Sequence, residues 1–246
     1  MAALTESDLD IGGRRLHVVA SGRGTPAVVL EAGSGCSSQI WRAVQEQAGE
    51  FTATYSYDRA GHGASDPGAP WTLDGWVADL EAWLRAAPVA PPYLLVGHSL
   101  GGHVVRAFAA RHPAEVTGLV LVDVRHEDLY PRLPAAFLTR LAGLVPDDTE
   151  RARQADAVIR ALPGRDDLPQ TVIAHGRADW IPDDFGLDQL TLDQAELAWQ
   201  QHQAWLAAAS SRAKLVVAEA SGHLVPQDQP ELITREIRAM VAGASG

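Results

Sequence analysis

The 246-residue chain has one cysteine, Cys36, and one lysine, Lys214. A single thiol excludes an intrachain disulfide and any cysteine-cluster zinc or iron–sulfur site. No run of about 18 apolar residues occurs, so no segment reads as a membrane span. Positive charge is scarce: 20 basic residues stand against 31 acidic ones, for a formal charge of −11. A surface of that sign repels phosphate backbones and anionic headgroups, which argues against nucleic acid and membranes as partners. Residues 1–10 carry Glu6, Asp8 and Asp10. They lack the basic start and apolar stretch of a secretion signal, so a cytoplasmic location is expected. Motifs for bound groups are missing as well. There is no His-Glu-x-x-His pair and no Gly-x-x-x-x-Gly-Lys loop, and Gly33-x-Gly35 is followed by Ser38 where a dinucleotide fingerprint needs a third glycine. The expectation is a reaction with no metal and no cofactor.

What is present is ordinary globular material, 46% hydrophobic and 21% charged, enough to bury a core without staples. Short apolar runs at 27–31, 53–57, 93–97, 118–122, 171–175 and 214–218 alternate with helix-length segments. That is the pattern of a parallel sheet covered on both faces. The start differs: Gly12-Gly13 before residues 15–20 predicts a hairpin of two antiparallel strands. Over 71–87, Leu73, Trp76, Val77, Leu80, Trp83 and Leu84 make one apolar helical stripe, ended by Pro88, Pro91 and Pro92. Further helices are expected over 100–111, 191–210 and 231–241. Residues 125–170, after the sixth strand, read as short helices with two stripes, Leu138, Leu141 and Leu144, then Ala155, Val158, Ile159 and Leu162. An insertion at the C-terminal edge of a parallel sheet stands where ligands bind, so it is read as a small lid on a single domain.

The most informative segment is Gly97-His98-Ser99-Leu100-Gly101-Gly102-His103, which follows an apolar strand and opens a helix. A serine there sits on a sharp strand-to-helix turn that lifts its hydroxyl above the sheet, and the small residues on either side let the backbone turn. The helix N-terminus behind it favours negative charge developing on a substrate oxygen.

With this elbow in place, the chain resembles the α/β-hydrolase family over nearly its whole length. Asp58-Arg59-Ala60-Gly61-His62-Gly63-Ala64-Ser65-Asp66 looks like a loop common in that family, and Ser221-Gly222-His223 looks like its catalytic histidine loop. The resemblance implies an eight-stranded, mostly parallel sheet with helices on both faces, Ser99 as nucleophile and His223 as general base. Two carboxylates resemble positions where members place the triad acid: Asp123, directly after the sixth strand, and Asp179, after the seventh. Both stay open, because Asp179 is separated from His223 by an unusually long stretch with an extra helix. The oxyanion hole is expected from the N–H groups of Leu100 and Ser34. Relatives often have His-Gly where this chain has Ala32-Gly33.

Ser99 in place of a carboxylate argues against dehalogenase and most epoxide hydrolase chemistry and leaves acyl transfer. The first expectation is an esterase or lactonase acting on a small to medium hydrophobic molecule. Carbon–carbon bond hydrolases, thioesterases, cofactor-free perhydrolases and hydroxynitrile lyases share the visible motifs, and some proteins of this fold are small-molecule receptors. Trp41, Gly33 and His98 are read as the substrate-facing set, with Trp180, Trp199, Trp205 and Phe137 as further aromatic candidates. Cys36 is read as packing. His17, His112, His126 and His202 are read as structural or exposed, and His62 as stabilising its loop.

Overall fold

Side-chain alternation along the central strands explains why helices cover both faces of the sheet. The computed structural model describes residues 1–178, 181 and 185–244. Its strands are β1 (Leu4–Asp10), β2 (Arg15–Ser21), β3 (Ala27–Glu31), β4 (Thr54–Tyr57), β5 (Tyr93–His98), β6 (Val116–Val122), β7 (Gln170–His175) and β8 (Ala213–Ala218). They form one eight-stranded sheet in the order β1-β2-β4-β3-β5-β6-β7-β8. The β1–β2 and β2–β4 pairs are antiparallel and all others parallel. At the β1–β2 turn Gly12 and Gly13 have φ of 99° and 108°, a region that disfavours side chains. Both N–H groups donate to Asp10 Oδ1, at 2.8 and 3.0 Å.

Val28, Leu30, Leu94, Val96, Val120 and Val122 enter one apolar cluster. Their neighbours Ala27, Val29, Leu95, Leu119 and Leu121 enter another. The first cluster is closed by α1 (Arg42–Ala48) and α8 (Pro230–Ala244), the second by α2 (Leu73–Ala86) and α3 (Gly101–Arg111). The whole apolar stripe of α2 is buried there, and each large side chain so covered is worth about 1.5–3 kcal/mol. Thr72 caps the helix by accepting the Gly75 N–H at 3.0 Å.

Between β6 and β7 lie a 3₁₀ turn (Tyr130–Arg132), α4 (Ala135–Leu144) and α5 (Pro146–Ala161). Ala155 and Ile159 of α5 join the cluster of α2 and α3. In α4 it is Phe137 that is buried, while Leu144 at the helix end is exposed. Phe137 packs in a third cluster with Leu129, Leu133, Phe185 and Trp199, the last from α6 (Gln189–Ala208). After β8, α7 (Val225–Asp228) precedes α8. Because β5, β6, β7 and β8 are parallel, His98, Val122, His175 and Ala218 end on one edge of the sheet. Among the described residues no helix is long and apolar enough to cross a membrane.

Candidate active site

The elbow forms because two glycines let β5, α3 and β3 come into direct contact. A Cβ on Gly101 would run into the carbonyl oxygens of Ala32 and Glu31, and one on Gly97 would lie 2.8 Å from Gly102 Cα. Between them Ser99 takes φ of 52°, a strained value for a residue with a side chain. Its N–H donates to Val122 O at 3.1 Å, and its carbonyl accepts from Gly102 and Arg125 at 3.1 and 3.3 Å. The turn is thereby tied to β6 and to the start of α3, and Ser99 stays half-buried with its hydroxyl toward the sheet edge.

His223 reaches that hydroxyl from a loop held at several points. Gly176 and Arg177 donate their N–H groups to Ser221 O at 3.1 and 3.0 Å. Asp228 accepts from Ser221 Oγ and from the Gly222 N–H at 3.0 and 3.3 Å. The result is His223 Nε2 at 3.0 Å from Ser99 Oγ, and Nδ1 at 2.6 Å from Asp123 Oδ2. Asp123 is fully buried and has φ of 45°. Its carboxylate also accepts from the His175 N–H (3.2 Å), His175 Nδ1 (2.8 Å) and Trp199 Nε1 (2.9 Å). Burial alone would raise the pKa of such a group. The hydrogen bonds from His175 and His223 outweigh it and hold Asp123 below the usual carboxylate range. Of the two acid candidates the structure brings Asp123 to His223. Asp179 lies outside the described residues, as does Trp180.

Behind Asp123, His175 carries a second carboxylate. Its Nε2 is 3.0 and 3.1 Å from the two oxygens of Glu196 on α6, and Gln200 Nε2 donates to Glu196 Oε1 at 2.9 Å. The sequence alone assigns His175 no role. Its place as the last residue of a strand, at the same edge as Ser99, is the one signal that points to it.

Leu100 stands directly ahead of α3, and among the described residues no acceptor takes its N–H or that of Ser34. Ser34 is exposed on the loop after β3. Gly33 in that loop comes close to the elbow: a Cβ on it would be 3.1 Å from Ser99 Cβ and 2.8 Å from His98 Nδ1. Arg59, fully buried, anchors the loop from below. Its Nη1 donates to Glu31 Oε1 (2.5 Å) and Ala32 O (2.6 Å), and Nη2 donates to Gly33 O. The guanidinium lies over the Trp76 ring at 4.4 Å. Burial pushes the Glu31 carboxyl up, and the Arg59 charge opposes it.

A cavity of about 310 Å³ opens at Ser99 and His223, walled by Leu129, Leu133, Phe137, Leu141, Phe185 and Trp199, with Arg125 at its border. Arg125 donates to Asp156 Oδ2 at 2.5 Å and stacks over Tyr130 at 4.2 Å. Trp199 and Phe137 therefore stand on the wall, whereas Trp41, His98 and Trp205 do not. Trp41 is wholly buried in the cluster under α1 and α8, edge-on to the His98 ring at 6.5 Å. His98 is buried too, and its Nε2 donates to the His223 carbonyl at 2.9 Å. Burial, reinforced by the nearby His223, lowers His98 to about 3, so it is a neutral donor that props the His223 backbone. Trp205 is partly exposed and packs on His202 at 4.7 Å. Among the described residues no three His, Cys, Asp or Glu side chains gather as a metal site.

A family model described as alpha/beta hydrolase fold matches residues 26–240. A pimeloyl-[acyl-carrier protein] methyl ester esterase of Chromobacterium violaceum is 39% identical over 189 residues, 70% of each chain. An uncharacterized Bacillus subtilis protein, YqjL, is 27% identical over 84% of this chain and 79% of its own. Among solved structures, the haloalkane dehalogenase DatA of Agrobacterium tumefaciens superposes with a TM-score of 0.68 at 20% identity, covering 98% of this chain and 97% of the other. A putative lipase of Acinetobacter baumannii gives 0.69 at 15%, covering 98% and 92%. These two likenesses speak to the fold.

Proposed function

The chain belongs to the α/β-hydrolase family, and we propose that it acts there as a serine hydrolase on a small to medium hydrophobic ester or lactone. Ser99 Oγ attacks the substrate carbonyl while His223 Nε2 takes its proton. The oxygen that becomes negative is met by the N–H groups of Leu100 and Ser34, each worth about 3 kcal/mol in the transition state. As the tetrahedral adduct collapses, the carbon–oxygen bond to the alcohol breaks, His223 returns the proton to that oxygen, and the acyl group stays on Ser99. Water, deprotonated by His223, then attacks the acyl-serine, and the acid leaves with Ser99 restored. Asp123 keeps a proton on His223 Nδ1 throughout, so that Nε2 is the free base.

The observation that carries this reading is the unbroken hydrogen-bonded run from Ser99 Oγ through His223 to Asp123. The apolar cavity beside Ser99 supports a hydrophobic acyl or alcohol group, with residues 125–170 acting as its lid. The methyl ester esterase relative supports the choice of bond.

Stopped-flow hydrolysis of p-nitrophenyl esters tests it, with Ser99→Ala expected to lose about 10⁶ in kcat. A variant that keeps most of the activity removes Ser99 from the scheme. Wild-type protein that binds such esters and never turns them over is a receptor instead. A panel of acyl chains, lactones and thioesters then defines the substrate.

A further inference from the structure

We infer that His175 is a positioning residue that stands as an imidazolium between Asp123 and Glu196, so that the hydrogen-bonded run from Ser99 continues through a second, buried histidine–carboxylate pair. The inference rests on the serine hydrolase reading for its kinetic consequence, but not for its geometry. A neutral imidazole has one N–H and one lone pair. Both ring nitrogens of His175 face carboxylate oxygens, Nδ1 at 2.8 Å from Asp123 and Nε2 at 3.0 and 3.1 Å from Glu196. With a single proton, one carboxylate would face a lone pair at contact distance. Two protons satisfy both.

The surroundings agree. The side chain of His175 is fully enclosed, and burial alone would lower its basicity. The hydrogen bonds and charges of Asp123 and Glu196 overcome that and raise it to about 9. Among the described residues, the titratable groups that bear on it are Asp123 at the end of β6, Glu196 on α6 and, across Asp123, His223 from the loop after β8. Gln200 ties Glu196 to the His175 carbonyl, donating to both at 2.9 and 3.1 Å.

The consequence lies in the charge that His223 works against. Asp123 alone would attract the positive charge that His223 takes up as Ser99 attacks. A fixed positive charge on the far side of the same carboxylate oxygen offsets part of this attraction. Glu196 holds the compensating charge in place.

Two variants separate this from a purely structural role. In Glu196→Gln the amide can donate to His175 Nε2, which makes neutral His175 fully bonded. In His175→Gln the ring is gone. For both, the acidic limb of kcat/KM should move up by about one pH unit, the scale of one nearby charge, however far the plateau falls. Nitrogen-15 spectra of histidine-labelled protein at neutral pH should show both His175 nitrogens protonated in the wild type and one in Glu196→Gln. A wild-type spectrum with one protonated nitrogen overturns the inference. So does an unmoved acidic limb in a Glu196→Gln protein whose Ser99 still reacts with a fluorophosphonate. Should the wild-type serine itself fail to react, the hydrolase reading falls, and the spectra still decide the state of His175.

Discussion

Replacing Asp123 with asparagine changes one oxygen to an amide nitrogen, and the surrounding donors decide which oxygen is lost. Oδ1 accepts from the His175 backbone N–H and from Trp199 Nε1, and neither donor can change its character. The amide oxygen must therefore take that side, leaving the NH₂ group where Oδ2 was, 2.6 Å from His223 Nδ1 and 2.8 Å from His175 Nδ1. Three donors now converge. The imidazoles are the only members that can yield, by moving their protons. For His223 the shift puts the hydrogen on Nε2, pointing at Ser99 Oγ, and the base is lost. A wrong tautomer of this kind costs about 10⁴ in kcat, on the order of 5.5 kcal/mol of barrier at about 1.4 per decade. The assay is the rate of fluorophosphonate labelling of Ser99 at neutral pH, beside ester hydrolysis, with circular dichroism to show that the variant folds. A folded Asp123→Asn protein within tenfold of wild type, alongside an Asp179→Asn protein that loses several orders of magnitude, would hand the acid's role to Asp179.

Local signals make the frame legible and long-range contacts do not. The stripe of α2, the Gly12-Gly13 turn and the strand–Gly-x-Ser-x-Gly–helix elbow are each written within about twenty residues, and each appears in the structure. Trp41 and His98 read as substrate-facing in the sequence because they lie near Ser99 or its partner loop. Strand periodicity explains where they are instead. Leu94 and Val96 of β5 face α1 and α8. His98 continues that parity, which sends its ring beneath the elbow toward Trp41 rather than into the cavity. The Arg59–Glu31 pair and the Asp123–His175–Glu196 array have no such local signature. Arg59 meets Glu31 because β3 and β4 are neighbours in the sheet, and Glu196 meets His175 because α6 packs beside β7. Only the folded topology makes those side chains adjacent. The departure of Ala32-Gly33 from the usual His-Gly is not visibly compensated at residue 32. What holds the loop is the Arg59 guanidinium on its carbonyls, from a motif whose sequence alone gives that arginine no task.

Buried charge sets two further outcomes. Arg59→Met leaves Glu31 enclosed without its counter-charge and should cost about 3–5 kcal/mol. It also frees the Ala32 and Gly33 carbonyls, so labelling of Ser99 should slow. Adding Glu31→Gln should recover stability in a denaturant titration but not the labelling rate, and recovery of both would show that the clamp does not position the loop. The pH dependence of stability carries two opposite signs. Burial holds His98 at about 3 and His103 at about 4 in the fold, below the 6.5 of an unconstrained histidine. The unfolded chain therefore binds those protons first. Stability is complete above 6.5 and falls by about 1.4 kcal/mol per pH unit for each group as pH drops toward 4. Carboxylates in the unfolded chain begin to titrate only below about 5, so the urea midpoint should fall between pH 6.5 and 5, with His126, lowered to about 4 by burial as well, adding to the fall; a flat midpoint there refutes the burial of these histidines as neutral rings. His175 works the other way. Raised to about 9, it contributes fully below 6.5, and the contribution is lost as pH rises from 6.5 through 9. Glu196→Gln takes away one of the carboxylates responsible, so the variant should start less stable and lose less over that alkaline range. An equal alkaline decline in both proteins would place its origin outside the Asp123–His175–Glu196 array.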